Sequence, residues 1–144
     1  MIKNLMVMVF LLAATSIILI SCGSPSGPET SRPTTRASME RGEKVYTQTC
    51  LPCHQVDGSG VSQLNPPLKN TTYGLDDESR LIGIVMNGFS DGVEINGEAY
   101  TNPMPSFATS LKDEEIADVL TYTRNSFGNK ASEISAGQVK ALRK

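Results

Sequence analysis

Two cysteines and a histidine lie in one short run of the sequence, Cys50-Leu51-Pro52-Cys53-His54. Cys-x-x-Cys-His is the pattern through which haem c is attached. The spacing suits this chemistry because each thiol can form a thioether with one haem vinyl group, and the next residue can then place its imidazole on the iron. His54 is the only histidine in 144 residues, so it is the one imidazole available. We therefore predict one covalent haem c at Cys50, Cys53 and His54.

Three other interpretations of the same residues stay open. The first is a thioredoxin-like dithiol, but that motif lies beside a β-α-β pattern, and the sequence shows none. The second is a structural zinc site, but zinc needs four ligands and this run supplies three. The third is a disulfide between Cys50 and Cys53, which leaves His54 without a role. Haem attachment is the interpretation that uses all three side chains.

The predicted iron needs a second ligand, and methionine sulfur is the expected donor because the chain has no second histidine. A thioether opposite histidine raises the reduction potential. Beyond the N-terminal segment the methionines are Met39, Met86 and Met104. Met39 and Met86 lie on helix-like apolar patterns, where core packing is the expected role. Met104 lies between Pro103 and Pro105, which restrict the backbone and carry no amide donor. We predict Met104 as the second ligand.

Helices and one hairpin are predicted around these residues. Apolar or small residues recur every three to four positions from 39 to 49, which predicts a helix leading into Cys50. The turn signal Asn96-Gly97 predicts a hairpin over residues 93–100. Further helices are predicted from 76 or 77 to about 87, from between 110 and 113 to about 127, and over 134–142.

The N-terminal residues predict export. Lys3 precedes an apolar run over residues 5–20, and such a segment is typical of a secretory signal rather than a stable membrane span. Residues 19–22 resemble the lipobox of bacterial lipoproteins, in which Cys22 is acylated and becomes the mature N-terminus. An ordinary signal peptide with a cysteine at its cleavage site is the alternative. Lipidation at Cys22 would account for the third cysteine of the chain.

We expect three parts in the chain. Residues 1–21 form a lipoprotein signal peptide, residues 22–37 a lipidated N-terminus and flexible linker, and residues 38–144 a haem domain. The linker assignment rests on a stretch rich in Ser, Pro, Thr and Gly without apolar periodicity. Export agrees with the haem prediction, since bacteria attach haem covalently outside the cytoplasmic membrane. The predicted location is the periplasmic side or the cell surface, anchored through the Cys22 lipid.

The chain from about residue 38 to its C-terminus resembles a monohaem class I cytochrome c domain. The most specific match is a Cys-x-x-Cys-His run followed later by Met104-Pro105. The resemblance implies an all-α, cytochrome c-like fold of about three to five helices around one covalent haem, with a small hairpin-like loop before the Met ligand. Weaker matches are Gly42, Tyr46, Asn65-Pro66-Pro67-Leu68, Asn96-Gly97, Tyr100, Ser106-Phe107 and Ile116-Ala117-x-Val119-Leu120-x-Tyr122.

In the resembled family the first and last helices cross, and Gly42, Tyr46, Val119 and Tyr122 match the crossing positions. Glycine within a helix costs about 1 kcal/mol relative to alanine. A weak first turn would explain Gly42, but the resemblance favours a close approach between helix backbones.

The resemblance also implies a partner for the second nitrogen of His54. A ligating imidazole usually donates its other N–H to a carbonyl, which fixes the ring orientation. In the family a proline after the haem motif supplies that carbonyl. Pro66 is the best match, Pro67 is one residue away, and two loop prolines without a special role remain the alternative.

Charge and ligand set together predict the function. A net charge of −2 gives no basic surface for nucleic acid. With His54 and Met104 filling both axial positions, we predict a non-enzymatic electron carrier that cycles between Fe(III) and Fe(II). Its partners are redox proteins that bind transiently and the membrane that holds the lipid, with no small-molecule substrate. The alternative is the electron-transfer subunit of a larger periplasmic dehydrogenase or reductase. A haem enzyme or gas sensor, in which Met104 dissociates, is the third hypothesis.

Overall fold

The computed structural model of the chain describes residues 36–144. The predicted signal peptide, Cys22 and most of the predicted linker lie outside the described residues. Among the helices of residues 36–144, none has both the length and the apolar character needed to span a membrane.

Helices dominate the secondary structure, and one short hairpin interrupts them. The predicted all-α class and the predicted hairpin before Met104 are both confirmed. In chain order the elements are α1 (Arg36–Val45), a π-helical turn (Tyr46–Cys50), α2 (Leu51–His54), α3 (Glu78–Asn87), β1 (Val93–Ile95), β2 (Glu98–Tyr100), α4 (Asp113–Arg124) and α5 (Ala136–Leu142).

Three helix boundaries differ from the predicted ones. Helix α5 begins at Ala136 and not at residue 134, because Ser135 caps it. Helix α1 includes Arg36 and Ala37, which the sequence pattern places in the linker. Alanine is a strong helix former, and Arg36 pairs with Glu40 one turn later at 2.9 Å. Helix α4 ends at Arg124 and not near Phe127. The chain turns after the helix. This turn brings the ring centroid of Phe127 to 5.3 Å from that of Tyr46.

Helices α1 and α4 cross at Gly42. A side-chain carbon built on Gly42 would lie 2.2 Å from the Asp118 carbonyl oxygen and 2.7 Å from Cβ of Tyr122. No side chain fits this crossing, so close approach, and not a weak first turn, explains the glycine. The buried Asp118 carboxylate accepts hydrogen bonds from Arg41 at 2.5 and 2.9 Å and from the Ser38 hydroxyl. A buried carboxylate needs such partners, and these tie the two helices together.

The hairpin and α3 form as their local sequences predict. Asp77 caps α3 by accepting a hydrogen bond from the Arg80 amide at 3.0 Å. The hairpin pairs Val93 with Tyr100 and Ile95 with Glu98 in antiparallel register. Its turn residues Asn96 and Gly97 have φ values of 55° and 82°, the left-handed region that a two-residue hairpin turn requires.

The core combines apolar faces of α1, α3, α4 and α5. Arg124 is also buried at 3% exposure. Its guanidinium donates to the carbonyls of Gly74, Leu75 and Ser132 at 2.9 to 3.0 Å, so it links the end of α4 to the loop before α3 and the segment before α5. The buried apolar residues of this core are Val45, Tyr46, Ile82, Val85, Met86, Ile116, Ala117, Val119, Leu120, Ile134 and Val139.

Candidate haem c site

An apolar cavity lies beside the Cys-x-x-Cys-His run. The space between its walls amounts to about 1320 Å³, part of which is open to solvent. The loop after the run, α3, the hairpin and α4 supply its walls. The predicted site residues Cys50, Cys53, His54, Pro66 and Met104 all line it. Other apolar lining residues are Leu68, Leu81, Ile84, Val85, Phe89, Val93, Ile95, Phe107, Leu111, Val119 and Leu120.

His54 lies at the end of α2 with 8% of its surface exposed. Its Nδ1 donates to the Pro66 carbonyl at 3.0 Å. Burial lowers the pKa of His54, and the hydrogen bond to Pro66 opposes part of this shift. The ring is therefore neutral at neutral pH. With the proton on Nδ1, the Nε2 lone pair is available to a metal ion.

The loop after α2 folds tightly enough to present the Pro66 carbonyl to His54. The backbones of Val61 and Asn65 exchange two hydrogen bonds of 2.8 Å. A side-chain carbon on Gly60 would lie 2.2 Å from the Asn65 carbonyl oxygen. Gly60 also has a φ of +67°, which favours glycine. The loop can therefore present the Pro66 carbonyl to His54 only when residue 60 is glycine.

The two thiols suit thioether attachment better than the other chemistries. Cys50 is half-buried, Cys53 is exposed, and both are free. Burial, followed by the influence of Cys53, raises the pKa of Cys50 to about 11. Redox-active dithiols instead depend on a lowered thiol pKa, so the thioredoxin-like interpretation loses support. Within residues 36–144 no group of three or more His, Cys, Asp or Glu side chains is placed to hold a metal ion.

The backbone around Met104 is fixed against the end of α3. Met104 and Phe89 exchange backbone hydrogen bonds of 2.8 and 2.9 Å. Gly88 permits this approach, because a side-chain carbon there would lie 2.6 Å from the Met104 carbonyl oxygen. The Ser106 hydroxyl donates to the Met86 carbonyl just beyond the ligand segment. The flanking prolines restrict the backbone angles of Met104. The contacts with the end of α3 then fix where this residue lies.

Among the methionines of residues 36–144, Met104 lines the cavity and the other two do not. Met86 is buried in the core at 3% exposure, and Met39 lies on α1. The thioether that reaches the cavity therefore belongs to the residue between the two prolines.

Tyr46 fixes the turn that follows the cysteines. Its hydroxyl donates to the Gln55 carbonyl at 2.5 Å, and its ring lies 5.5 Å from that of Tyr122. Tyr46 opens the π-helical turn that ends at Cys50. Irregular helical turns of this type often occur at functional sites. Tyr46 therefore connects the crossing of α1 and α4 to the position of the Cys-x-x-Cys-His run.

Sequence reasoning missed a set of polar contacts at the cavity wall. Glu98 bonds both to Tyr100 on its own strand and to the loop at Ser62 and Gln63. Because side chains alternate along a strand, Glu98 and Tyr100 lie on the same face. Their contact could therefore be predicted from the sequence. The contact between the hairpin and the loop could not, because it joins segments that are far apart in the chain.

These residues fit a covalent haem. Two free thiols with the required spacing lie at the wall of an apolar cavity, and a neutral imidazole and a thioether line the same cavity. Iron in haem takes such a nitrogen and sulfur pair. A mostly helical fold with this set of side chains defines a c-type haem protein.

Comparison with known proteins identifies the family. The family model for cytochrome c matches residues 39–126. Over 111 residues, 71% of this chain, the sequence is 34% identical to cytochrome c-552 of Thermus thermophilus and covers 83% of that protein. The chain belongs to the cytochrome c family, and it carries covalently bound haem c with iron.

Two longer relatives are subunits of dehydrogenases. The chain is 36% identical over 106 residues to the alcohol dehydrogenase (quinone) cytochrome c subunit of Gluconobacter oxydans, a match of 71% of this chain and 22% of that protein. It is 38% identical over 109 residues to the gluconate 2-dehydrogenase cytochrome c subunit of Pantoea cypripedii, covering 73% and 24%. The chain thus spans less than a quarter of the length of these two relatives.

Proposed function

We propose that this chain is a membrane-tethered, one-electron carrier in which His54 and Met104 hold the haem iron and Cys50 and Cys53 form the thioethers. The supporting observation is that all four side chains line one apolar cavity. When bound, haem supplies exchange of a single electron between Fe(III) and Fe(II). A potentiometric titration of the purified protein tests this proposal, because a haem exchanges one electron where a dithiol exchanges two.

The chain's own residues would favour rapid exchange with little rearrangement. The Pro66 carbonyl orients the His54 ring through Nδ1, and the backbone pairing with Phe89 fixes the segment of Met104. The lining of the cavity is mostly apolar. These contacts would thus hold His54 and Met104 in place in both redox states of a bound haem.

The surface near the Cys-x-x-Cys-His run supports brief contact with redox partners. Cys53 is exposed, and two large apolar side chains nearby are exposed as well. Val56 lies two residues after His54 with 77% exposure, and Leu64 precedes the cavity residue Asn65 with 46% exposure. Electron-transfer encounters of this type bury less than about 1,200 Å². A net charge of −2 would steer them only weakly.

The membrane tether is proposed from the sequence around Cys22. Stable anchoring needs more than one lipid signal, and a lipobox cysteine carries several acyl chains. We expect Cys22→Ala to leave the protein uncleaved or to release it from the membrane fraction, as measured by fractionation and the mass of the mature chain. Ser21→Ala is the matched control and should stay processed and membrane-bound. A Cys22→Ala protein that is cleaved at the same site and remains with the membrane would contradict the lipid anchor.

The electron-transfer subunit of a dehydrogenase is the second candidate function. It is favoured by the similarity to cytochrome c subunits of alcohol and gluconate dehydrogenases. Purification of the tethered protein from its native membrane distinguishes the two functions. A dehydrogenase recovered in equal amount would favour the subunit, and recovery of the chain alone would favour the free carrier.

A further inference from the structure

The loop that leads into Pro66 is bonded to the hairpin that leads towards Met104. On the hairpin, Glu98 Oε1 accepts hydrogen bonds from the Ser62 hydroxyl and, at 2.9 Å, from the Gln63 amide. Hydrogen bonding from Ser62, then from Tyr100, lowers the pKa of Glu98. The carboxylate is therefore charged at neutral pH, and a charged acceptor strengthens these bonds.

Asn102 adds two more bonds between the same segments. Its amide N–H donates to the Leu64 carbonyl at 3.2 Å. Its side-chain amide donates to Asn65 Oδ1, also at 3.2 Å. Asn65 immediately precedes Pro66, and Asn102 lies two residues before Met104. We call the four bonds from Glu98 and Asn102 to residues 62–65 the loop–hairpin latch.

The latch lies at the wall of the cavity. Asn65 and Asn102 both line the cavity, and so does the ring of Tyr100. Tyr100 is 6% exposed, and its hydroxyl donates to Glu98 Oε2 at 2.9 Å. The Glu98 carboxylate thus uses one oxygen to hold the loop and the other to hold a ring of the cavity wall.

Neither segment needs the latch for its own turn. The loop closes through the backbone pairing of Val61 with Asn65, and the hairpin closes through its own register. Hydrogen bonds between segments more than 30 residues apart have a cost in chain entropy that local turns avoid. The latch bonds instead fix the position of the Pro66 segment relative to the Met104 segment.

We propose that Glu98 and Asn102 are positioning residues that couple the His54 side of the haem site to the Met104 side and thereby retain Met104 as a ligand. This inference rests on the proposed ligation by His54 and Met104. Without the latch, the Met104 segment opens while the crossing of α1 and α4 stays folded. The latch keeps Met104 bound as a ligand, whereas the helical core determines the free energy of unfolding.

The test compares loss of the ligand with loss of the fold. Oxidised, haem-loaded protein is titrated with urea while the methionine-to-iron charge-transfer band and the far-ultraviolet helical signal are followed together. In Glu98→Ala and in Asn102→Ala the band should disappear at lower urea than the helical signal. The equilibrium constant for losing the band should rise roughly three- to tenfold in each variant, as expected for removing a hydrogen-bonded group.

Glu94→Ala is the matched control, since Glu94 is an exposed carboxylate of the same hairpin. It should leave both transitions where they are in the wild type. Glu98→Gln keeps an acceptor for the loop amide and should restore part of the loss. Tyr100→Phe keeps the loop bonds and should have a smaller effect than Glu98→Ala.

Three results would overturn the latch. The first is that band and helical signal shift together in Glu98→Ala, which would mean a structural role only. The second is an unchanged urea midpoint of the band in both Glu98→Ala and Asn102→Ala. The third is a Tyr100→Phe effect as large as that of Glu98→Ala. A wild-type protein that lacks the band would instead contradict the proposed ligation, so the two failures are distinguishable.

Discussion

Met104→Ala should abolish the methionine-to-iron charge-transfer band of the oxidised protein and lower its reduction potential. A thioether ligand favours Fe(II) over Fe(III), so its removal favours the oxidised state. The loss should be complete because no other methionine of residues 36–144 lines the cavity. The backbone pairing of residue 104 with Phe89 remains in the variant, so the neighbouring chain is not free to supply a substitute. Absorbance spectroscopy and a redox titration measure both effects.

Met86→Leu is the matched control for this substitution. Met86 is buried in the core at 3% exposure, and exchanging such side chains usually costs less than about 1.5 kcal/mol. The band and the potential should both stay as in the wild type. If Met104→Ala keeps the band and Met86→Leu loses it, the ligand assignment is wrong.

Gly42→Ala should lower the free energy of unfolding by about 1–3 kcal/mol, the usual cost of overpacking a tight contact. The added carbon would lie 2.2 Å from the Asp118 carbonyl oxygen, so one helix backbone must move. Helix α1 continues into the turn that ends at Cys50, and the yield of haem-loaded protein should therefore fall as well. Urea unfolding and the ratio of haem absorbance to protein are the measurements.

Gly83→Ala provides a control with the same chemical change. Gly83 lies within α3, and the nearest atom to an added carbon is Nδ2 of Asn87 at 4.0 Å. Alanine is a better helix former than glycine by about 1 kcal/mol, so this variant should be as stable as the wild type or more so. A Gly42→Ala protein that is equally stable would refute the close approach of α1 and α4.

Sequence reasoning succeeded where local chemistry determines the outcome. The Asn96-Gly97 turn specified the hairpin because few residues adopt positive φ at both turn positions. Residue type alone predicts a cap at Asp76 or Asp77, and the hydrogen bond from the Arg80 amide identifies Asp77 as the cap of α3. Gly42 had two explanations, and the atoms of Asp118 and Tyr122 distinguish them. A helix pattern can show that a glycine is out of place, but it cannot show which backbone approaches it.

Long-range polar contacts were not predictable. Arg124, at the last turn of α4, is buried at 3% exposure with carbonyl partners in two other segments, although arginine is mostly exposed in proteins. The bonds of Glu98 to Ser62 and Gln63 span 36 and 35 residues. Periodicity and capping rules describe neighbours along the chain, so they carry no information about which distant loop a carboxylate meets.

The measurement that tests the central claim most directly is a potentiometric titration of the purified wild-type protein. One haem held by His54 and Met104 should give a single reversible transition with a slope of about 59 mV per tenfold change in the ratio of oxidised to reduced protein. The charge-transfer band should follow the same curve. A slope of about 30 mV would mean two-electron chemistry of the Cys50–Cys53 dithiol, and that result would contradict the one-electron carrier.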